Sequence, residues 1–279
     1  MILVTGATGR VGGSVVSQLL DKGVPVRALV RDPQRAALPG GVQVVRGDLA
    51  DPASLGPALE GVDSVFLVWP TLTADHAAPQ TITEIAQRVQ RIVYLSSNGV
   101  SEDTTDGILG SHATLERLIE DSGVEWTFLR PGGFAANTLA WAEQIRAEGV
   151  VRWVYGDARR ALVHERDIAA VGVVALTEEG HKGARYTFTG PESITQSEQA
   201  QAIGVAIGRP VRFEEITPED ARQGLFAGLP PQLVDDILAA HADMVTRPEP
   251  VTDTVQQLTG TPARTFGEWA ADHAADFTP

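Results

Sequence analysis

Met1-Ile2-Leu3-Val4-Thr5-Gly6-Ala7-Thr8-Gly9-Arg10-Val11-Gly12-Gly13 opens the chain, and its reading decides the fold. Ile2, Leu3 and Val4 form a short apolar run with the character of a buried strand, and the glycines break it into a tight turn. Val11, Val15, Val16, Leu19 and Leu20 then recur at helical spacing through the segment Ser14 to Lys22. The stretch predicts strand, glycine turn, helix. Its spacing, Gly6-x-x-Gly9-x-x-Gly12, is not the G-x-G-x-x-G dinucleotide fingerprint letter for letter, so the roles must match instead. Gly6 suits the turn off the strand, Gly9 lets backbone approach a pyrophosphate, and Gly12 lets helix and strand pack closely, with Thr8, Arg10 and Val11 in the same binding turn. The helix N-terminus offers unpaired N–H groups and a positive dipole end to phosphates.

Downstream, strand and helix signals alternate every twenty-odd residues. Residues 25–30, 42–45, 64–68, 91–95 and 126–129 read as strands. Helical patterns cover residues 34–37, 53–59 (with Asp51 as a cap), 76–90, 108–121 and 136–148. Near-continuous apolar strands separated by helices specify a parallel sheet covered on both faces, a Rossmann-like doubly wound α/β architecture with right-handed crossovers. From Gly149 the rhythm loosens. Residues 150–155 and 184–188 read as strands, and 165–177, 195–206, 217–226, 231–240 and 265–276 as helices, with Thr195, Thr217 and Thr265 as N-caps. The expected organisation is a dinucleotide-binding core over 1–150 and a part over 151–279 that completes the sheet and forms a small mixed α/β substrate lobe.

Strand ends are where such sheets bind ligands. Arg31 follows the second strand 19 residues after Gly12, beside the adenosine ribose, where an arginine accommodates the 2′-phosphate of NADP and a carboxylate favours NAD. Arg10 can reach the same phosphate. NADP(H) is therefore expected ahead of NAD(H), with Asp32 a helix N-cap or turn former before Pro33. Asp48 and Leu49 follow the third strand, Trp69 the fourth, and Ser96, Ser97 and Asn98 the fifth. Trp69 either walls the ligand or packs under a loop, and the Ser96–Asn98 groups either bond ribose or satisfy the strand end.

Composition narrows the alternatives. There is no cysteine among 279 residues, so no disulfide, thiol nucleophile or Cys-ligated metal is available, and the six histidines show no metal-ligand spacing. The net charge of −14 disfavours nucleic acid and acidic membrane surfaces as partners. A strand starting at Ile2 leaves no room for a signal peptide and no apolar run reaches membrane-spanning length, so a cytoplasmic location is expected. The expected partner is a small-molecule substrate, and a homodimer is compatible with the sequence.

Taken together, Val4-Thr-Gly-Ala-Thr-Gly-Arg-Val-Gly12, Ala28-Leu-Val-Arg31, Gly47-Asp-Leu49, Leu95-Ser-Ser97 and Thr127-Phe-Leu-Arg-Pro131-Gly-Gly-Phe134 resemble the NmrA-like, atypical short-chain dehydrogenase/reductase family, and within it the quinone-reductase type 2 branch. The resemblance extends to Leu162-Val-His-Glu-Arg-Asp-Ile-Ala169 and Tyr186-Thr-Phe-Thr-Gly190. It implies NADP(H) binding, with adenine near Asp48 and Leu49 and nicotinamide near the ends of the fifth and sixth strands. Phe134 and Asn137, which follow the sixth strand, read as lining that pocket, or Phe134 as ordinary core. The wider superfamily's Tyr-x-x-x-Lys pair is missing. His112 occupies the place where isoflavone-reductase-like relatives carry a lysine, and is the candidate to position ribose or donate a proton. His164 reads as structural, and Glu116 and Arg117 as local helix-surface pairs.

Loss of the usual proton donor points to an acceptor that spreads the incoming charge onto oxygen, such as a quinone or related conjugated carbonyl. Two other functions stay open at this stage: a non-catalytic NADP(H)-binding redox sensor, and a lyase, isomerase or cyclase on the same fold.

Overall fold

The computed structural model describes residues 1–101 and 103–278. Its strands are β1 (Ile2–Val4), β2 (Val26–Val30), β3 (Gln43–Arg46), β4 (Ser64–Leu67), β5 (Arg91–Leu95), β6 (Glu125–Pro131), β7 (Val150–Trp153), β8 (Arg159–Arg160), β9 (Ala184–Phe188), β10 (Ile194–Thr195) and β11 (Arg212–Glu215). The helices used below are α1 (Arg10–Asp21), α2 (Gly56–Leu59), α3 (Ala78–Ala86), α4 (Gly107–Asp121), α5 (Ala142–Glu148), α6 (Glu165–Thr177), α7 (Gln196–Ala206), α8 (Pro218–Gln223) and α9 (Pro231–Thr246), followed by α10 (Thr254–Thr259) and α11 (Phe266–Asp272).

The chain divides into two compact units. The first, built from Met1–Pro131, Glu165–Phe188 and Thr254–Thr261, holds a seven-stranded sheet in the order β3-β2-β1-β4-β5-β6-β9, every pairing parallel. This is the Rossmann-like doubly wound sheet expected from the alternation. The order reverses between β1 and β4, the switch point at which open α/β sheets bind ligands.

Side-chain alternation along the strands assigns the two faces. Leu67, Ile92, Tyr94 and Phe128 share a core with Ile82 and Ile85 of α3 and Leu115 and Ile119 of α4. Phe66 and Leu129, one residue out of phase, meet Gly172 of α6 on the other face, where a Cβ on that glycine would lie 2.6 Å from the Phe66 ring. Because β5 and β6 each send alternate residues toward α4, polar residues at their carboxyl ends are carried to that helix too.

The second unit, Gly132–His164, Thr189–Asp253 and the segment from Pro262 onward, contains a parallel β7–β11 pair and an antiparallel β8–β10 pair. Its core gathers Trp141, Ile145, Ile203, Phe266 and Trp269. Thr195, Thr217 and Thr265 are N-caps as expected, Thr195 and Thr265 in reciprocal capping boxes with Glu198 and Glu268.

Several expected helices differ. Residues 34–37 form no helix; the Asp32 carboxylate accepts from the Gln34 amide at 3.0 Å, a local turn that replaces the helical hydrogen bonds. The 53–59 segment is a tight turn followed by the four-residue α2, with no side-chain cap from Asp51. The 76–90 helix is confined to a 3-10 turn and α3, and 136–148 begins as a seven-residue 3-10 stretch, Ala135–Trp141, before α5. The 231–240 helix instead runs on to Thr246.

Candidate functional site

The glycine turn is shaped by close backbone approach. Gly6 has φ +60°, and a Cβ there would meet the Val68 Cβ at 2.9 Å. At Gly12 a Cβ would stand 2.3 Å from the Gly6 carbonyl oxygen and 2.7 Å from its carbon, so only glycine lets α1 press onto the turn. Thr5 anchors the turn across the switch point: its hydroxyl accepts from the Val68 amide at 2.7 Å and donates to the Val68 carbonyl at 2.9 Å. Gly9 stands at the N-cap of α1 with no side chain covering the first-turn amides. Those donors are what a diphosphate would satisfy. Thr8 and Arg10 are exposed beside them, and Val11 is buried.

Arg31 is exposed directly after β2. Arg46, which the sequence reading passed over, lies in register with Val30 at the end of β3 and so stands on the neighbouring strand tip. The guanidinium groups of Arg10, Arg31 and Arg46 have no hydrogen bond or ion pair among the described residues. In a chain of net charge −14, free cations gathered at one sheet edge suit an anion.

Asp48 is half-buried, one oxygen accepting from the Ala50 amide at 2.9 Å, and Leu49 is buried with its carbonyl accepting from Thr81 at 2.8 Å. Trp69 is 5% exposed; its indole N–H donates to Asp75 at 2.8 Å, and Ser111 of α4 donates to the same carboxylate oxygen at 2.9 Å. Asp75 thus ties the loop after β4 to the first turns of α4. Within that loop Leu72 takes φ +66°, a strained backbone for a side chain that is also exposed.

The end of β5 carries the main polar cluster. Positions 112, 115, 116 and 119 form one stripe of α4, and Leu115 and Ile119 place that stripe against the sheet. His112 and Glu116 therefore face the ends of β5 and β6. The Tyr94 hydroxyl lies 2.6 Å from His112 Nδ1. Burial, then the Glu116 and Asp75 carboxylates, push the Tyr94 hydroxyl well above its ordinary value, so it stays protonated. Burial pulls the half-buried His112 below 6.5, against the upward pull of Glu116 and Asp75. His112 Nε2 has no partner among the described residues and is not a buried unsatisfied atom, which leaves it open to solvent or ligand.

Glu116, like Arg117, reads from the sequence as a member of local pairs along the helix. It is instead 4% exposed; it accepts from Arg130 Nε at 3.0 Å and from Arg130 Nη2 at 2.5 Å, and from the Ser96 hydroxyl at 2.5 Å, while Arg117 bonds Thr114. The reason is the helix stripe: residue 116 points inward and residue 117 outward. Ser97 is half-buried and Asn98 exposed, its amide bonded to the Pro131 carbonyl at 3.1 Å.

The remaining candidates belong to the second unit. Phe134 is half-buried in a bridge to Val163, Asn137 is exposed, and His164 is 1% exposed with Nε2 3.3 Å from Asp272. Among the described residues no cluster of metal-ligating side chains is found, and no helix is long and apolar enough to cross a membrane.

Comparison with known proteins identifies the family. Residues 6–179 match the family model described as NAD(P)H-binding. A (4-alkanoyl-5-oxo-2,5-dihydrofuran-3-yl)methyl phosphate reductase of Streptomyces griseus is 46% identical over 282 residues, with 100% of both chains covered. An NAD(P)H azoreductase of Xenophilus azovorans is 39% identical, with 99% of each chain covered. Among solved structures, the NADPH-dependent quinone oxidoreductase of Escherichia coli complexed with NADPH matches with a TM-score of 0.81 at 28% identity, covering 98% of this chain and 99% of that one. The chain belongs to the NAD(P)H-binding family, matched from end to end by reductases, and is an NAD(P)H-dependent oxidoreductase.

Proposed function

We propose that the protein is an NADPH-dependent reductase of quinones or related conjugated carbonyl compounds. The observation that carries the acceptor class is the polar equipment on α4: His112, with Nε2 open, and neither a tyrosine nor a lysine on that helix. An isolated ketone needs a strong proton donor as its oxygen becomes an alkoxide. A conjugated acceptor spreads the charge over its π-system, so one neutral hydrogen-bond donor suffices. The substrate named for the Streptomyces griseus relative, an alkanoyl-oxo-dihydrofuran, and the quinone named for the Escherichia coli enzyme are of this kind.

Preference for NADPH rests on Arg31 and Arg10, with Arg46 beside them, as ligands of the 2′-phosphate. Gly6, Gly9, Gly12 and Thr8 admit the diphosphate to the α1 N-terminus, and Val11 packs the helix beneath it. Asp48 and Leu49 edge the adenine side, and Ser97 and Asn98, after β5, stand on the nicotinamide side. Ser96 acts through Glu116, which holds its hydroxyl, and Trp69 holds the loop wall through Asp75. Bound NADPH supplies a hydride, and the acceptor also takes up one proton, a quinone becoming a hydroquinone. His112 orients the acceptor oxygen at Nε2–H, and water delivers the proton.

The test is NADPH binding by fluorescence followed by NADPH oxidation with menadione and with an alkanoyl butenolide. Turnover on either supports the assignment. Tight binding with no oxidation of NADPH on both would overturn the quinone and conjugated-carbonyl assignment.

A further inference from the structure

We propose that Tyr94 is a positioning residue for hydride transfer: from within the sheet core its hydroxyl donates to His112 Nδ1 and so fixes the imidazole as the Nε2–H tautomer, presenting one hydrogen-bond donor to the acceptor oxygen. The inference rests on the reading of His112 given above and adds the residue that sets its chemistry.

A tyrosine hydroxyl can donate or accept, and an imidazole Nδ1 can do either, so the 2.6 Å contact alone is ambiguous. The surroundings resolve it. Tyr94 is fully buried, with 0% exposure, on the strand face that packs under α3 and α4. The charged groups facing the pair are Glu116 on α4 itself and Asp75 from the loop after β4, with Arg130 at the end of β6 reaching it only through Glu116. Both carboxylates and the burial oppose tyrosinate, so the hydroxyl keeps its proton.

That proton has one acceptor among the described residues, His112 Nδ1. The Glu116 oxygens are taken by Ser96 and Arg130, and the Asp75 Oδ1 by Trp69 and Ser111. With Nδ1 accepting, the neutral ring must carry its hydrogen on Nε2, the nitrogen left open. A donor on Nδ1 also stabilises the neutral ring over the cation, working in the same direction as burial. The two carboxylates work against both.

The arrangement departs from a tyrosine that protonates substrate. The tyrosine here is inside the core, and among the described residues its hydroxyl bonds only the histidine, whose other ring nitrogen is left open. No proton is passed through Tyr94, since its anion is disfavoured by every group around it.

The test uses the full chain labelled with ¹⁵N-histidine, with His112→Gln to assign the signal, and reads the tautomer by long-range ¹H–¹⁵N correlation with and without NADP⁺. The wild type is expected to show Nε2-protonated, neutral His112 at pH 7. Tyr94→Phe keeps the ring and the packing. It is expected to mix the tautomers, lower kcat about 2–13-fold, the factor for one hydrogen bond, leave KM for NADPH unchanged, and move the protonation of His112, followed in the same spectra as a pH profile, to higher pH as the ring becomes easier to protonate. His112→Gln, which offers a neutral N–H donor, is expected to retain more activity than His112→Ala.

An Nδ1-protonated His112 in the wild type overturns the inference without any variant. So does a Tyr94→Phe enzyme with unchanged tautomer and pH profile; in that case turnover by the wild type still upholds the reductase reading. Absence of turnover with every acceptor removes the reductase reading, and the role of Tyr94 in catalysis with it.

Discussion

Gly12→Ala tests how tightly function is tied to the opening turn. The new methyl would sit 2.3 Å from the Gly6 carbonyl oxygen and 3.1 Å from Ala7 Cα, contacts with backbone that no rotamer can relieve. Reaching an ordinary contact of 3.4 Å requires α1 and the turn to separate by 1.1 Å, the difference between 3.4 and 2.3 Å. Overpacking of this kind costs about 1–3 kcal/mol, which lowers Tm by about 2–5 °C for a chain of this size. The same shift carries the uncapped α1 amides away from the diphosphate. Loss of one charge-assisted hydrogen bond, about 1.5–3 kcal/mol, weakens NADPH binding about 10–100-fold. Gly13→Ala is the control: its Cβ meets only the Ala7 carbonyl, at 3.3 Å, and helix propensity favours alanine. Thermal melts and NADPH fluorescence titrations on both variants decide the matter. A Gly12→Ala protein that melts and binds like the wild type would refute the reasoning.

Arg31→Ala should weaken NADPH about tenfold while leaving NADH unchanged, and adding Arg46→Ala should abolish the preference; the check is the ratio of KM values for the two cofactors. Glu116→Ala should destabilise the protein by about 2–4 kcal/mol, because it strands the Arg130 guanidinium at the end of β6 and the Ser96 hydroxyl, with the cost moderated by Arg130's remaining contact with water; chemical denaturation measures it. Burial lowers His112 and His241 below the ordinary imidazole value of 6.5. The unfolded chain therefore binds protons near pH 6.5 that the native state refuses. Stability should be complete above that value and fall as the pH drops below it, with a shallower fall in His241→Phe, as read by Tm between pH 5 and 8.

The parts of the structure most easily read from the sequence are those where a local pattern and the global fold demand the same thing. β1, β2, β5 and α1 are found because strands buried on both faces are near-continuous apolar runs, and because no residue but glycine fits at position 12. Segment 34–37 misleads because a carboxylate next to Pro33 reads as a helix cap, whereas its hydrogen bond closes a single turn. Long-range pairings are what local reading misses. Glu116 looks outward by composition, yet its partner is Arg130, fourteen residues on and delivered by β6. Tyr94 reads as strand core; the available signal was that a buried hydroxyl requires a partner, and that the next helix carries histidine on its inward stripe. Arg46 escaped because its position depends on strand register, which pairs it with Val30.

The most direct test of the central claim is calorimetric titration of the purified protein with NADPH and with NADH at low ionic strength. One site per chain is expected, with NADPH bound at least about tenfold more tightly than NADH through the arginines at the tips of β2 and β3. Equal affinities, or no heat with either cofactor at millimolar concentration, would contradict it.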